Sequence, residues 1–295
     1  MVSHRYGELA LEDVEQPELA ADSVLIRVRA TSVNPVDSHE LRGTPHWARL
    51  LMGLRRPKNS RLGVDVAGTV EAVGADVVGL RAGDDVFGTC ASRGAFAECV
   101  QAADKNLIVK PAGITFEQAA SIPVAGVTAL QALKDAGELE SGQRVLINGA
   151  AGGVGTFAVQ IAKALGANVT GVCSTRNVEL VRSLGADDVI DYTAADFTRD
   201  GRHYDLIVNA AGSRSLRELR RALAPDGTLV LVALRGMLGG LVLRRFVRHK
   251  LVPFVAGVTK ERLGLLVELI EAGKVTPVID RTYPLAEVPR AIQYL

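Results

Sequence analysis

The stretch INGAAGGVG, residues 147–155, sets four glycines directly behind the branched apolar run RVLI. Glycines at this spacing remove side chains so that something else can approach the backbone. If RVLI is a strand and VGTFAVQIAKALGA a helix, residues Asn148 to Ala151 form the turn between them. Gly152 then lets a pyrophosphate reach bare backbone, Gly155 lets the helix press on the strand, and the N–H groups around Gly153 and Val154 aim at the phosphates. A tight strand-to-helix turn needs glycine for steric reasons alone. The strand before, the helix after and the continuing alternation are what turn the fingerprint into a dinucleotide site.

The end of the next strand-like run decides which dinucleotide. An acidic residue about 20 positions beyond the glycines would hold a ribose 2′-hydroxyl. This chain has CSTRN there, with Ser174, Thr175 and Arg176 and no carboxylate. Hydroxyls with a guanidinium suit a 2′-phosphate, so NADPH is expected in preference to NADH. The plainer alternative is that Arg176 is a solvated residue in the first turn of the following helix.

These groups need elements to carry them, and the hydrophobic period changes near residue 120. Before it lie short β-branched or alternating runs, VLIRVRA, VAGTVEAV, DVFGT and FAECVQ, punctuated by glycine, proline and aspartate as in GLRAGDDVFG. They predict an irregular, mostly antiparallel β lobe. After it, RVLING, NVTGVCS, DVIDY, YDLIVNAA and TLVLVAL alternate with helical runs, including RNVELVRSLGA and SLRELRRALAP. That order predicts an α/β Rossmann-type doubly wound parallel sheet. KERLGLLVELIEAGKV reads as a helix with Leu263, Leu266, Val267 and Ile270 on one face, and VIDRTYPL after it reads as a strand. The expected division is 1–122 with 274–295 as one domain and 123–273 as the nucleotide-binding domain.

Composition narrows the function class. The chain has 295 residues, 48% of them hydrophobic and 23% charged, with a formal net charge of +1. Such a balance describes a globular, aliphatic-rich protein and offers no bulk charge for nucleic acid or an anionic membrane. The first residues, MVSHRYGELALEDVEQ, lack an apolar leader core, and no run is long enough to span a bilayer, so a cytoplasmic address is expected. Cys90, Cys99 and Cys173 are widely spaced and suggest neither a disulfide framework nor a thiolate zinc site.

Taken in order, VNPVDSHELRG, LGVDVAGTVEAVG, GDDVFG, GAFAECV, SIPVAGVTALQAL, GAAGGVG, RSLGADDVIDY and ELIEAGKVTPVIDRTYPL resemble the zinc-independent quinone oxidoreductases of the medium-chain dehydrogenase/reductase superfamily. The resemblance covers nearly the whole chain. It implies a GroES-like β core in the substrate domain, a cleft toward the Rossmann domain for cofactor and substrate, and a carboxy-terminal segment that rejoins the first domain. It also implies a homodimer, and the apolar strand TLVLVAL is expected to offer the exposed edge for it. By the same resemblance, Asn34 of the N-x-x-D motif is a candidate amide near the reacting centre, with Asp37 bracing its loop. Thr128 matches a threonine near the nicotinamide, and Tyr192 one near the adenosine phosphate. His39 stands where several relatives carry an aromatic residue such as Tyr; it is either a hydrogen-bond donor or simply a surface or packed histidine.

Ligand chemistry separates this chain from the zinc-dependent branch. Catalytic zinc needs three protein ligands. Where that branch carries its first cysteine this chain has Asn34-Pro35, and where it carries Gly-His-Glu this chain has Gly63-Val64-Asp65. Without a Lewis acid, reduction of an electrophilic conjugated carbonyl is easier to catalyse than alcohol oxidation. Hydride transfer from NADPH to a quinone or to an enone β-carbon is therefore the expected reaction, with positioning and one donor to the developing oxygen charge as the main devices. The competing class is a dinucleotide-binding redox sensor, or an RNA- or partner-binding protein with little turnover. WARLLMGLRRPKN and LVLRRFVRHK mix basic and apolar residues and fit either a lipophilic entrance, a partner or membrane surface, or solvated helices with one buried face. Compared with its relatives the chain is short after Gly7, around Gly236 to Gly240 and at its end, AIQYL, so loop or tail residues are expected to be missing from it.

Overall fold

The computed structural model describes residues 1–44, 46, 49–55, 57–232 and 249–295. Trp47, Ala48 and Arg56 of the first basic, apolar stretch lie outside the described residues, as do 233–248, which take in Gly236 to Gly240 and most of LVLRRFVRHK. The chain divides into two compact units. One comprises Met1–Val124, Val258–Gly264 and Val278–Leu295, the other Ala125–Gly257 and Leu265–Pro277.

In the first unit, β1 (Val2–Arg5) and β2 (Glu8–Leu11) form a hairpin, and β3 (Ser23–Ala30) leads to helices α1 (Pro35–Arg42) and α2 (Arg49–Met52). Strands β4 (Asp65–Val73), β5 (Asp85–Thr89), β6 (Cys99–Ala103) and β7 (Leu107–Val109) follow, then α3 (Phe116–Ser121) and α4 (Pro123–Gln131), which continues into the other unit. The sheet runs β6-β3-β4-β5-β7 and every pair in it is antiparallel. Alternation explains it: Val24 and Ile26 of β3, Val66 and Val70 of β4, Val86 of β5 and Val100 of β6 turn to one core. Asp65 opens β4 inside this apolar setting with no exposed surface.

The second unit is a parallel sheet. It contains β8 (Arg144–Asn148), α5 (Gly153–Ala164), β9 (Asn168–Cys173), α6 (Val178–Ser183), β10 (Asp188–Asp191), β11 (Tyr204–Asn209), α7 (Leu216–Arg221), β12 (Leu223–Leu231) and β13 (Lys250–Pro253). The order is β10-β9-β8-β11-β12-β13 and each neighbouring pair is parallel. Strand order reverses between β8 and β11, the point beyond whose carboxyl ends such sheets bind ligands. Leu146, Val172, Ile207, Leu229 and Leu231 form the core beneath, with Phe197 and Leu219.

After this sheet come α8 (Lys260–Glu271) and α9 (Val288–Tyr294). Val288 and Ile292 of α9 pack with Val2, Leu62 and Phe96. Two expectations need correction. TLVLVAL is not an edge: Thr228–Leu231 pair with β11 on one side and with Lys250–Pro253 on the other. An all-apolar run suits an interior parallel strand covered on both faces, and a further strand, not visible as such in its own pattern, takes the outside place. VIDRTYPL is not a strand either, since residues 278–285 find no pairing partner among the described residues. A β-branched run needs a free sheet edge as well as the right pattern.

Candidate functional site

In the second unit the glycine turn is pinned from both sides. Val145, Leu146 and Ile147 are fully buried, and Asn148 at the end of β8 donates its side-chain amide to Asn209 Oδ1 at 2.7 Å and to the Ala211 carbonyl at 3.3 Å. Gly149 and Ala150 donate their N–H groups to the Val172 carbonyl at 3.2 and 3.0 Å. The chain thus leaves β8 tied to the ends of β9 and β11, and Gly149 turns it with φ +91°. Gly155 sits where a Cβ would lie 2.0 Å from the Gly149 oxygen and 2.7 Å from the Ala150 Cα. Only hydrogen fits there.

Gly152 differs. A Cβ there would meet nothing nearer than the Gly149 oxygen at 3.4 Å, and both Gly152 and Gly153 are exposed. Gly152 is also the N-cap of α5, and no side chain caps that helix. First-turn N–H groups have no partner within a helix, and their partial positive charge favours an anion. Half-buried Ala151 and Val154 flank this open face. Fixed turn, open backbone and uncapped amides fit a dinucleotide pyrophosphate.

At the end of β9, Ser174 is half-buried while Thr175 and Arg176 are exposed. The Thr175 hydroxyl donates to Asp191 Oδ2 at 2.6 Å and lies 2.9 Å from Thr193 Oγ1, which bonds Asp191 Oδ1 at 2.7 Å. These bonds hold the Asp191 carboxyl below its usual range. A carboxylate absent from CSTRN therefore arrives from the end of β10. It takes the Thr175 hydrogen, which leaves Ser174 and Arg176 as the donors at this strand end. Tyr192, next to Asp191, is 54% exposed, and its N–H donates to the Cys173 carbonyl at 3.0 Å. Thr128 is buried on α4.

The first unit holds Asn34, in a network of buried polar groups. Asn34 is the N-cap of α1, whose first turn accepts Pro35 because the missing N–H there needs no partner. Its main-chain N–H donates to Asp37 Oδ2 at 2.8 Å, and Gly63 donates to Asp37 Oδ1 at 3.1 Å. The Asn34 side-chain oxygen faces the Asp37 N–H in a reciprocal capping arrangement, although that N–H bonds the Asn34 carbonyl at 3.0 Å. Asn34 Nδ2 lies 3.0 Å from both Ser32 Oγ and Asp65 Oδ2, and Ser32 donates to the same Asp65 oxygen at 2.6 Å. The Val124 N–H completes Asp65 by donating to Oδ1 at 3.1 Å. His39 is half-buried with Nδ1 at 3.1 Å from Thr44 Oγ1.

Burial is the largest influence on the two carboxyls and pushes Asp37 up to about 6 and Asp65 up to about 7, while the hydrogen bonds they accept pull the other way. An unfolded chain releases both protons near the ordinary 3.8. Between those values the folded protein binds protons that the unfolded chain has lost, so stability from these groups is complete below 3.8 and falls as pH rises toward 7. The decline reaches at most about 1.4 kcal/mol per pH unit for each group. Asp65→Asn should flatten it, measured as denaturant midpoints at several values between about pH 4 and 8. Parallel slopes in the variant and the parent would show that Asp65 does not exchange a proton on folding.

Of the residues singled out by sequence, Thr128, Ala151 to Gly155, Ser174 to Arg176 and Tyr192 belong to the second unit and Asn34 to the first. Sequence reading missed Ser32 and Asp65 beside Asn34, Asn209 behind the turn and Asp191 beside Thr175. A signal for Asp65 existed: a carboxylate opening the run VDVAG in an apolar strand must find donors.

A family model described as zinc-binding dehydrogenase matches residues 184–295, and one described as alcohol dehydrogenase GroES-like domain matches residues 20–131. Among the described residues no three His, Cys, Asp or Glu side chains come together to hold a metal ion. A chloroplast envelope quinone oxidoreductase homolog of Arabidopsis thaliana is 34% identical over 98% of this chain and 91% of its own length. An NADPH-dependent alkenal/one oxidoreductase from the same plant is 34% identical over 95% of this chain and 70% of its own. The solved structure of a quinone oxidoreductase from Coxiella burnetii superposes with TM-score 0.87 at 30% identity, over 99% of this chain and 93% of that one.

Proposed function

The chain belongs to the zinc-independent quinone oxidoreductase family of the medium-chain dehydrogenase/reductases, and from that membership we propose that it reduces a quinone or an α,β-unsaturated carbonyl with NADPH and without a metal. The observation that carries the proposal is the uncapped start of α5 above a turn that leaves open backbone at Gly152. When bound, NADPH supplies a hydride, with its electron pair, to the ring or β-carbon of the acceptor. The N–H groups of Gly153, Val154 and Gly155 in the first turn of α5 hold the pyrophosphate, which Ala151 and the open backbone of Gly152 let approach, since the Gly152 N–H itself donates to the Gly149 carbonyl at 3.0 Å. Thr128 lies toward the nicotinamide, and Tyr192 toward the adenosine phosphate. Asn34 donates an N–H to the acceptor oxygen as that oxygen gains charge, and a proton from water completes the quinol or ketone. Relatives named as quinone oxidoreductase and alkenal/one oxidoreductase support this acceptor class.

Arg176 carries the choice of cofactor in this reading, because Thr175 has given its hydrogen to Asp191. A guanidinium contact with a 2′-phosphate contributes about 1.5–3 kcal/mol, roughly ten- to a hundredfold in affinity. Arg176→Ala should therefore weaken NADPH binding by that factor, less at high salt, and leave NADH nearly unchanged. Equal loss for both cofactors in a binding titration would reduce Arg176 to a solvated residue of its turn.

The same reading places the enzyme in the cytoplasm as a homodimer. Among the described residues no helix is long and apolar enough to cross a membrane. With β12 interior, the pairing edge passes to β13, whose outer side has no neighbouring strand among the described residues.

A further inference from the structure

Asn34 Nδ2, Ser32 Oγ and Asp65 Oδ2 form a triangle with sides of 3.0, 3.0 and 2.6 Å. The two hydrogens of a planar amide diverge by about 120°. A triangle this narrow at Nδ2 cannot receive both along good lines, so one N–H is shared between Ser32 and Asp65 and the other is left over. The amide oxygen is turned to the first turn of α1. Asp65 is itself fully buried and takes donors on both oxygens: Ser32 and Asn34 on Oδ2, and Val124 on Oδ1.

From this we infer that Asp65 is a positioning residue: by drawing in one N–H of the Asn34 amide it fixes the other N–H, and not the amide oxygen, as the group Asn34 offers to a ligand. The inference rests on the proposed role of Asn34 as donor to the acceptor oxygen and adds what sets its polarity. An asparagine side chain is nearly symmetric in shape but opposite in charge at its two ends, so its neighbours alone decide which end serves. A ligand oxygen that gains charge is stabilised by one end and repelled by the other. Neither Ser32, whose hydroxyl rotates to donate or accept, nor a mobile water could impose that choice. Once ionised, above about pH 7, the Asp65 carboxylate only accepts.

Asp65→Asn tests this because it keeps shape and removes the one-way character. The Val124 N–H is main chain and cannot turn, so it claims the new amide oxygen and leaves the new NH2 facing Ser32 and Asn34. Ser32 can rotate to accept; Asn34 must turn its amide over. Turnover should fall by about tenfold or more, while the NADPH dissociation constant stays within about threefold. Loss of stability alone could produce such a fall, so the double variant Asn34→Asp with Asp65→Asn is the decisive one. Its carboxylate at position 34 accepts from the amide at 65, which completes the network, but it has no N–H to offer. The melting temperature should return toward that of the parent while kcat stays low.

Recovery of turnover together with stability in the double variant would overturn the inference, since a merely structural role predicts both. So would parental turnover in Asp65→Asn while Asn34→Ala is impaired, and that pattern would leave the role of Asn34 standing. Parental turnover in Asn34→Ala would remove the role of Asn34 and the inference with it.

Discussion

Replacing Gly155 by alanine should damage the fold and the cofactor site together, whereas the same change at Gly152 should damage only the site. At Gly155 the new methyl would lie 2.0 Å from a main-chain oxygen and 2.7 Å from the Ala150 Cα. Backbone must move to admit it, and the start of α5 is pushed off the turn at Gly149 and Ala150, at a cost on the order of 3 kcal/mol or more. For a body of this size that corresponds to a fall of about 10 °C in melting temperature. At Gly152 the nearest atom would be 3.4 Å away, an ordinary contact. Gly152→Ala should therefore melt with the parent and bind NADPH about tenfold or more weakly, because the methyl would occupy the approach we propose for the pyrophosphate. Thermal melts and a fluorescence titration of both variants check the pair. Unchanged binding in Gly152→Ala would move the phosphates elsewhere.

Asn34→Ala should lower kcat by about a hundredfold, the scale seen when one donor to a developing oxyanion is removed. NADPH binding should change by less than about threefold, because the role we propose for Asn34 lies at the reacting centre and not on the phosphates. Removing the amide also withdraws one donor from Asp65, which keeps those from Ser32 and Val124. Some stability is lost with it, about 1–3 kcal/mol. Steady-state kinetics beside a cofactor titration separate the two effects: a rise in the NADPH dissociation constant matching the fall in kcat would make Asn34 a cofactor ligand instead.

Much of the fold was legible because it is written locally. The switch from alternating runs to strand–helix repeats marks the two sheets, and the glycines of residues 149–155 mark the turn between β8 and α5 through sterics that act within seven residues. Order within the sheet is another matter. Nothing in TLVLVAL distinguishes a strand with neighbours on both sides from one at an edge, because the pairing of Thr228 with Lys250 depends on where a later segment goes. VIDRTYPL shows the same limit in reverse: the pattern is present, but residues 278–285 pair with no strand among the described residues, and pairing is not written in the pattern.

The site divides along the same line. Asn34 and the glycine loop, the groups proposed for the site, stand in contiguous motifs, which is why sequence alone proposes them. Asp65 meets Asn34 across 31 positions of chain and Asp191 meets Thr175 across 16, so their effects on the polarity of those side chains emerge only once β4 and β10 are in place. Residue type alone names the groups of a site. Which hydrogen each group has left to give is decided by its neighbours.

The most direct test of the central claim is NADPH oxidation by the purified protein, with a chelator present throughout, against a panel of quinones and α,β-unsaturated aldehydes and ketones. Turnover on at least one of these classes, unaffected by the chelator and slower with NADH, is the predicted result. Tight binding of NADPH with no oxidation on any of them, or activity that vanishes with the chelator and returns with zinc, would contradict it.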